Sequence, residues 1–419
     1  MPKLAVIGAG AAGCLGAIEA KRRCPDADVS VLEAGSKPLA KVALTGGGRC
    51  NLTNTFDAVE DLREVYPRGS RLMKRALHHF SPADTRRWFE AEGVRLVEED
   101  GGRIFPASGD AMQIVRCLLR AMDREGVRIR CRHRITGIRA LQEPNGFELN
   151  YATDNGPGAE CFDAVLIATG GSPKRSGLDF TAPLGLTIEE PVPSLFTLRI
   201  EDAGLRALMG ISVPDAILSL PGTRFKACAP LLLTDWGIGG PATLRLSSYA
   251  ARHLAEAHYR VPLAVNWTGA NEAEVRTRLS QEALQHKDKL VLNACPFPLP
   301  GRLWAHVLSR SGARQDLRWA ELGTKGTNRL VSTLTNDTYT TAGRAAFKEE
   351  FVTCGGISLD NVDPATLGAK QHPGLFLAGE ALDIDAVTGG FNLQAAWTTG
   401  WICARSAADF LKSDGKRAE

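Results

Sequence analysis

Lys3-Leu4-Ala5-Val6-Ile7-Gly8-Ala9-Gly10-Ala11-Ala12-Gly13 is the stretch whose reading decides the fold. The apolar run Lys3 to Ile7 has the length and composition of a buried parallel strand. A G-x-G-x-x-G pattern follows it directly. Gly8 permits a tight turn, Gly10 lets backbone approach a pyrophosphate, and Gly13 packs helix on strand. Ala11 to Arg23 reads as a helix with small residues on one face, its N-terminus suited to an anion. Val29 to Leu32 is the second strand, and Glu33, twenty residues beyond Gly13, places an acid where ribose hydroxyls can be held. Strand, turn, helix and spaced acid together predict a Rossmann-like α/β domain that binds a dinucleotide. Ala11, Ala12 and Ala34 join the expected binding set.

Working outward, two further apolar strands end in glycine. Phe162-Asp163-Ala164-Val165-Leu166-Ile167 runs into Ala168-Thr169-Gly170-Gly171, and Gly374-Leu375-Phe376-Leu377-Ala378 into Gly379-Glu380. Both are similar to the later fingerprints of the two-dinucleotide-binding-domain flavoproteins, where such segments flank the diphosphate and ribityl chain of FAD. Glycine clusters at Gly8–Gly13, Thr45–Asn51 and Thr388–Gln394 lie at opposite ends of the chain. That distribution implies one site assembled from distant segments, since glycine gathers where backbone meets a ligand. Between them the sequence predicts helices around 82–92 and 110–124 and strands over 128–138 and 147–151.

The segment Lys41-Val42-Ala43-Leu44-Thr45-Gly46-Gly47-Gly48-Arg49-Cys50-Asn51-Leu52-Thr53-Asn54 resembles the K-x-x-x-[ST]-G-G-G-R-C-N-x-T-N signature of the BaiN/RdsA (YhiN-like) flavoproteins. Val352 to Ile357, Gly379 to Asp383 and Thr388 to Gln394 agree with the family's tail, so the similarity spans essentially the whole chain. The resemblance implies bound FAD, with Gly46–Gly48 amides against the flavin, Arg49 and Lys41 as donors, and Cys50, Asn51 and Ile135 in the cofactor shell. It also places the helix opened by Gly389, Gly390, Phe391, Asn392 and Leu393 at the flavin's N1–C2=O edge, where helix amides stabilise negative charge. Asn392 could donate there or cap the helix. Many relatives carry histidine where this chain has Asp235, so no histidine role transfers to that position.

Composition sets the outer limits. Hydrophobic residues make up 44% and charged residues 23%, which excludes intrinsic disorder. The apolar runs fall short of a membrane span and no secretory leader develops, so the expectation is a cytoplasmic protein without membrane contact. Ten cysteines without a C-x-x-C spacing predict reduced thiols and no metal site. The segment 191–350 opens with Pro191-Val192-Pro193 and carries 19 basic against 14 acidic residues. It reads as an inserted, substrate-facing domain, β-rich over about 191–268 and helical over about 269–335, between FAD-domain halves 1–190 and 351–419. Seven arginines between Arg116 and Arg134 read as a solvated face, with RNA contact as the alternative.

The family resemblance implies an FAD-dependent oxidoreductase. The favoured reading is NAD(P)H-driven reduction of an activated C=C bond, with a uridine of 23S ribosomal RNA as leading substrate. Alternatives are a small steroid-like enone, an oxygen-using amine oxidase, or a flavin-binding redox sensor without turnover. No second G-x-G-x-x-G is present, so NAD(P)H is expected as a transient reductant at the flavin face. Cys50 is a weak candidate for the proton donor to carbon; the preferred reading makes it a small buried packing residue.

Overall fold

The computed structural model describes residues 1–142, 146–345 and 352–415. Two compact units emerge: residues 1–192 with 352–419, and residues 193–351.

The first unit is built on five parallel strands, β1 (Lys3–Ile7), β2 (Asp28–Leu32), β3 (Arg128–Arg130), β4 (Ala164–Ile167) and β5 (Leu375–Leu377), in the order β5-β4-β1-β2-β3. All four residues of β4, and β1 from Leu4 onward, are buried, as expected of strands covered on both faces. Ile7 pairs with Leu32 on one side and Ile167 on the other, and Ile167 pairs with Leu377. The carboxyl ends of four strands are therefore level, which is where ligands bind in open α/β sheets. The chain is thus of the α/β Rossmann class.

The first helix, Ala11–Arg23, and the closing helix, Phe391–Gly415, touch backbone to backbone. A Cβ on Gly16 would stand 3.2 Å from the Gly400 carbonyl oxygen, and one on Gly400 would stand 2.5 Å from that of Ala12. Only glycine fits this crossing.

The single strand expected over 128–138 is two. Arg128–Arg130 joins the parallel sheet, while Arg134–Leu141 starts an antiparallel sheet with Gly146–Thr153 and Gly156–Phe162. Arg132 breaks the run at φ 56°. The Arg132 and His133 amides donate to the carbonyls of Gly35 and Glu33 at 2.9 and 2.8 Å, which turns the chain across the end of β2. The arginine run is largely solvent-exposed, and several of its members also pair with acids. Arg116, Arg124, Arg128, Arg130 and Arg132 pair with Asp110, Glu92, Asp28, Glu160 and Asp154.

The second unit contains a closed six-stranded barrel and a helical part. Around the barrel the strands run Leu198–Ile200, Gly237–Gly239, Lys226–Thr234, Ser212–Ser219, Pro262–Asn266 and Asp337–Arg344. Three helices, Glu272–Gln285, Gly301–Arg310 and Gly323–Asn336, come between its last two strands. The β content therefore does not end near residue 268. Asp337–Arg344 returns after the helices and pairs with Pro262–Asn266 and Leu198–Ile200, removing both open edges. Trp267, Trp304 and Trp319 lie buried in this unit's core, with the Trp267 indole donating to Asp337 at 3.1 Å. Among the described residues no helix is long and apolar enough to cross a membrane.

Candidate functional site

The turn after β1 is shaped by its glycines. Gly8 has φ 102°, and a Cβ there would press on the Ala168 carbonyl. A Cβ on Gly13 would run into the Gly8 carbonyl, so the third glycine seats helix on turn. Gly10 differs from both: a Cβ built on it meets no atom within 4 Å. It caps the first helix without a side-chain hydrogen bond. The first-turn amides from Ala11 to Gly13 have no partner within the helix and face that opening with the positive end of the helix dipole.

Glu33 organises the adjoining loops. One carboxylate oxygen accepts from the Ala9 amide at 2.8 Å and the other from the Gly35 amide at 2.6 Å. The expected Gly8, Glu33, Ala34, Ile135, Thr169 and Gly170 all line one cavity of about 290 Å³, together with Gly171 and His133. Glu380 is set back from it as a brace. Its carboxylate accepts from the Thr353 amide at 2.7 Å, and a Cβ on Gly171 would meet that same oxygen. The Gly379 amide donates to the Thr399 hydroxyl at 2.8 Å.

A second cluster gathers the Lys41–Asn54 segment and the start of the closing helix. The helix Ala40–Gly48 breaks at Thr45, and Gly46 and Gly47 adopt φ 58° and 67°. Asn51 donates its side-chain amide to the Thr53 carbonyl at 3.0 Å and accepts from the Gly390 amide at 3.1 Å. Asn54 donates to the Gly389 carbonyl at 3.1 Å. The two glycine segments, more than three hundred residues apart, are thereby joined through side-chain amides. Gly390 has φ 92°, and a Cβ on it would collide with the Thr53 carbonyl. Its need for glycine is accounted for by this contact within the protein.

Other expected residues hold different posts. Asn392 neither caps the helix nor reaches out: its amide clamps Ala386. Arg49 pairs with Glu99 and lies over the Phe105 ring at 4.3 Å, so its fork is already engaged. Lys41 is exposed and Leu393 half-buried. Cys50 is fully buried at φ 58°, and burial pushes its thiol up to about 12. Asp235 is exposed in the hairpin between two barrel strands.

Three residues absent from the expected set hold this cluster. The Tyr66 hydroxyl donates to the Phe391 carbonyl at 2.9 Å. Gln394 accepts from the hydroxyls of Thr53 and Thr85 and donates to that of Thr398 at 2.9 Å. Arg68 grips the buried Asp385. Gln394 closes the glycine-rich Thr388–Gln394 motif and is visible there; Tyr66 and Arg68 carry no local signal, because their partners are distant in sequence.

A parallel sheet, a glycine turn opening a helix, and an acid at the end of the second strand define a Rossmann-type nucleotide-binding protein. The family model described as the HI0933-like protein Rossmann domain matches residues 2–406, and the chain belongs to that family. Its relatives agree with the resemblance drawn from Lys41–Asn54. It is 30% identical to the ribosomal RNA dihydrouridine synthase of Escherichia coli, covering 96% of both chains. It is 28% identical to the 3-dehydro-bile acid delta(4,6)-reductase of Clostridium scindens, covering 98% of this chain and 100% of that protein. Among solved structures it is similar to a 3-ketosteroid-delta4-(5alpha)-dehydrogenase from Rhodococcus jostii, with a TM-score of 0.54, 15% identity and 97% of each chain covered. At that identity the likeness speaks to fold.

Proposed function

We propose that the chain is an FAD-dependent oxidoreductase that uses NAD(P)H to reduce an activated C=C bond, with a uridine of 23S ribosomal RNA as leading substrate. The observation that carries the cofactor reading is the opening at Gly10, where a Cβ would find no protein atom, set against the unpartnered first-turn amides of the first helix. Backbone there is free to meet a diphosphate. Beside it, the cavity of about 290 Å³ lined by Glu33, Ala34, Ile135 and Thr169 accommodates an adenosine moiety. Each Glu33 oxygen already takes one backbone amide and retains a lone pair for a ribose hydroxyl. These residues fit FAD.

When bound, FAD supplies two-electron transfer between a nicotinamide and a substrate carbon. The chain's own residues bind and orient. Glu33 fixes the ribose, the helix amides neutralise diphosphate charge, and the Asn51 and Asn54 amides hold the two glycine segments in register. Cys50 is a packing residue in this reading: a buried thiol held near 12 is a poor acid at neutral pH.

The substrate class rests on the Escherichia coli relative, whose similarity extends over nearly the whole of both chains. A second reading, reduction of a steroid-like enone, is favoured by the full-length match to the Clostridium scindens reductase. Two measurements decide between them. Dihydrouridine mapping of 23S ribosomal RNA from cells with and without the protein should show one site lost on deletion. If that site persists while 3-keto-4-ene steroids drive NADPH oxidation by the purified enzyme, the second reading replaces the first. A heat-released extract containing FMN, or no flavin, would overturn the cofactor.

A further inference from the structure

Three contacts fix His133 in the wall of the cavity that it shares with Glu33. Its amide donates to the Glu33 carbonyl at 2.8 Å. Its ring Nδ1 lies 2.8 Å from the Cys131 carbonyl oxygen, which can only accept, so Nδ1 carries a proton. The ring packs against Tyr151 with centroids 5.2 Å apart, and the Arg130 guanidinium lies over that same Tyr151 ring at 5.3 Å. In a neutral imidazole a proton on Nδ1 leaves Nε2 as an acceptor. Among the described residues Nε2 of His133 has no hydrogen-bond partner. The side chain is therefore braced on one edge and uncommitted on the other.

We propose that His133 reads the base of the dinucleotide, its Nε2 accepting a hydrogen bond from the exocyclic N6 amine of adenine. The inference rests on the reading of this cavity as the adenosine site of FAD, and it names the side chain that selects the base there. Within a dinucleotide, adenosine has three donor groups: two ribose hydroxyls and the N6 amine. Glu33 has one lone pair left on each carboxylate oxygen, which answers the two hydroxyls. The amine then needs another acceptor. Arg134, also in the wall, can only donate, and the hydroxyls of Thr169 and Ser172 are turned to carbonyls of their own loop. His133 Nε2 is the acceptor that remains, on a ring whose orientation is set by the protein's own contacts. Ile135 and Phe180 give the same cavity apolar side chains against which a purine can lie. A hypoxanthine or guanine carbonyl in place of the amine would set two acceptors against each other and leave both unpaired.

The test is equilibrium titration of the full-length apoprotein at pH 8, read by flavin fluorescence. The probes are FAD, FMN and a flavin purine-riboside dinucleotide that lacks only the N6 amine. Wild type is compared with H133F and H133L, which have no acceptor at this position, the first keeping a ring against Tyr151. H133Q, whose side-chain carbonyl restores an acceptor, is the rescue, and thermal melts show which variants are folded. Wild type should bind FAD at least ~10-fold more tightly than the amine-free dinucleotide. H133F and H133L should lose FAD affinity to about that extent and hold the two dinucleotides within ~3-fold of each other. H133Q should recover part of the preference. If wild type binds both dinucleotides equally, the amine is not read. If the acceptor-free variants weaken both but keep the preference, His133 is only a support. Either result overturns the inference. A chain that prefers FAD to FMN yet ignores the amine leaves the adenosine site standing and removes His133 from it. A chain that binds FMN as tightly as FAD, or binds neither, overturns the cofactor reading and this inference with it.

Discussion

Asn392 and Ala386 exchange two hydrogen bonds: the side-chain oxygen accepts the Ala386 amide at 2.9 Å and the side-chain nitrogen donates to its carbonyl at 2.9 Å. The loop ahead of the closing helix is thus fixed by one residue of that helix's first turn. Replacing Asn392 by Leu keeps the branched shape but leaves both Ala386 groups without these partners. The expected cost is about 1–3 kcal/mol, read as a lower denaturant midpoint with an unchanged slope. An unaltered midpoint would show that solvent replaces both bonds.

Gly10 and Gly390 should separate ligand effects from folding effects. Gly10→Val places its side chain in open space, so the apoprotein should melt within a few degrees of wild type yet retain no flavin after gel filtration. Gly390→Ala forces a Cβ against the Thr53 carbonyl at a φ of 92°, so it should destabilise the apoprotein itself. Equal melting of apo Gly390→Ala and apo wild type would contradict the geometry.

Cys50 should behave as packing. Cys50→Ala should keep bound flavin and most turnover, whereas a true proton donor would take ~100-fold or more with it. In the native protein Cys50 should resist iodoacetamide at pH 8, while the exposed Cys161 and Cys228 react. Mass spectrometry of tryptic peptides distinguishes them.

Glu92 gives a pH signature. Burial acts against its charge, but hydrogen bonds from Arg124 and Arg22 outweigh burial and hold the carboxyl below the usual range. The Arg22 contact measures 2.6 Å and ties the first helix to the end of the helix Pro82–Ala91. A depressed carboxylate stabilises the fold above its unfolded pKa, and that contribution is lost as pH falls through the folded value. Glu92→Gln should therefore melt lower than wild type at pH 7, and the gap should close towards pH 3. A gap constant with pH would assign the effect to shape rather than charge.

What the sequence made legible follows from the range of each interaction. Gly8, Gly13 and Glu33 could be read because strand, turn and helix are adjacent in the chain and obey fixed spacing. Pro82–Ala91 was readable from the proline in its first turn, and the structure adds Ser81 and Asp84 capping each other reciprocally. The break at Arg132 was not readable, since it depends on carbonyls of Gly35 and Glu33 nearly one hundred residues earlier. Barrel closure by Asp337–Arg344 was equally hidden, because that strand's partners lie before the helices it follows. Gly390 stood out only as part of a glycine cluster; that its Cβ would meet the Thr53 carbonyl was hidden, because the two lie more than three hundred residues apart. Tyr66 and Arg68 stayed invisible because a buried hydroxyl or ion pair leaves no periodicity.

The backbone crossing of the first and closing helices at Gly16 and Gly400 has a consequence for biosynthesis. A ribosome makes the glycine turn and its helix more than three hundred residues before the helix that crosses them. Until then β4 lacks its neighbour β5, and the first helix lacks the backbone that crosses it at Ala12 and Gly16. The barrel unit is complete before the strand and helix that finish its host have been translated. Vectorial synthesis therefore presents the chaperone machinery with an unfinished parallel sheet until Leu375–Leu377 and the closing helix have been made. Truncations near the carboxyl terminus should accordingly be aggregation-prone out of proportion to the residues removed.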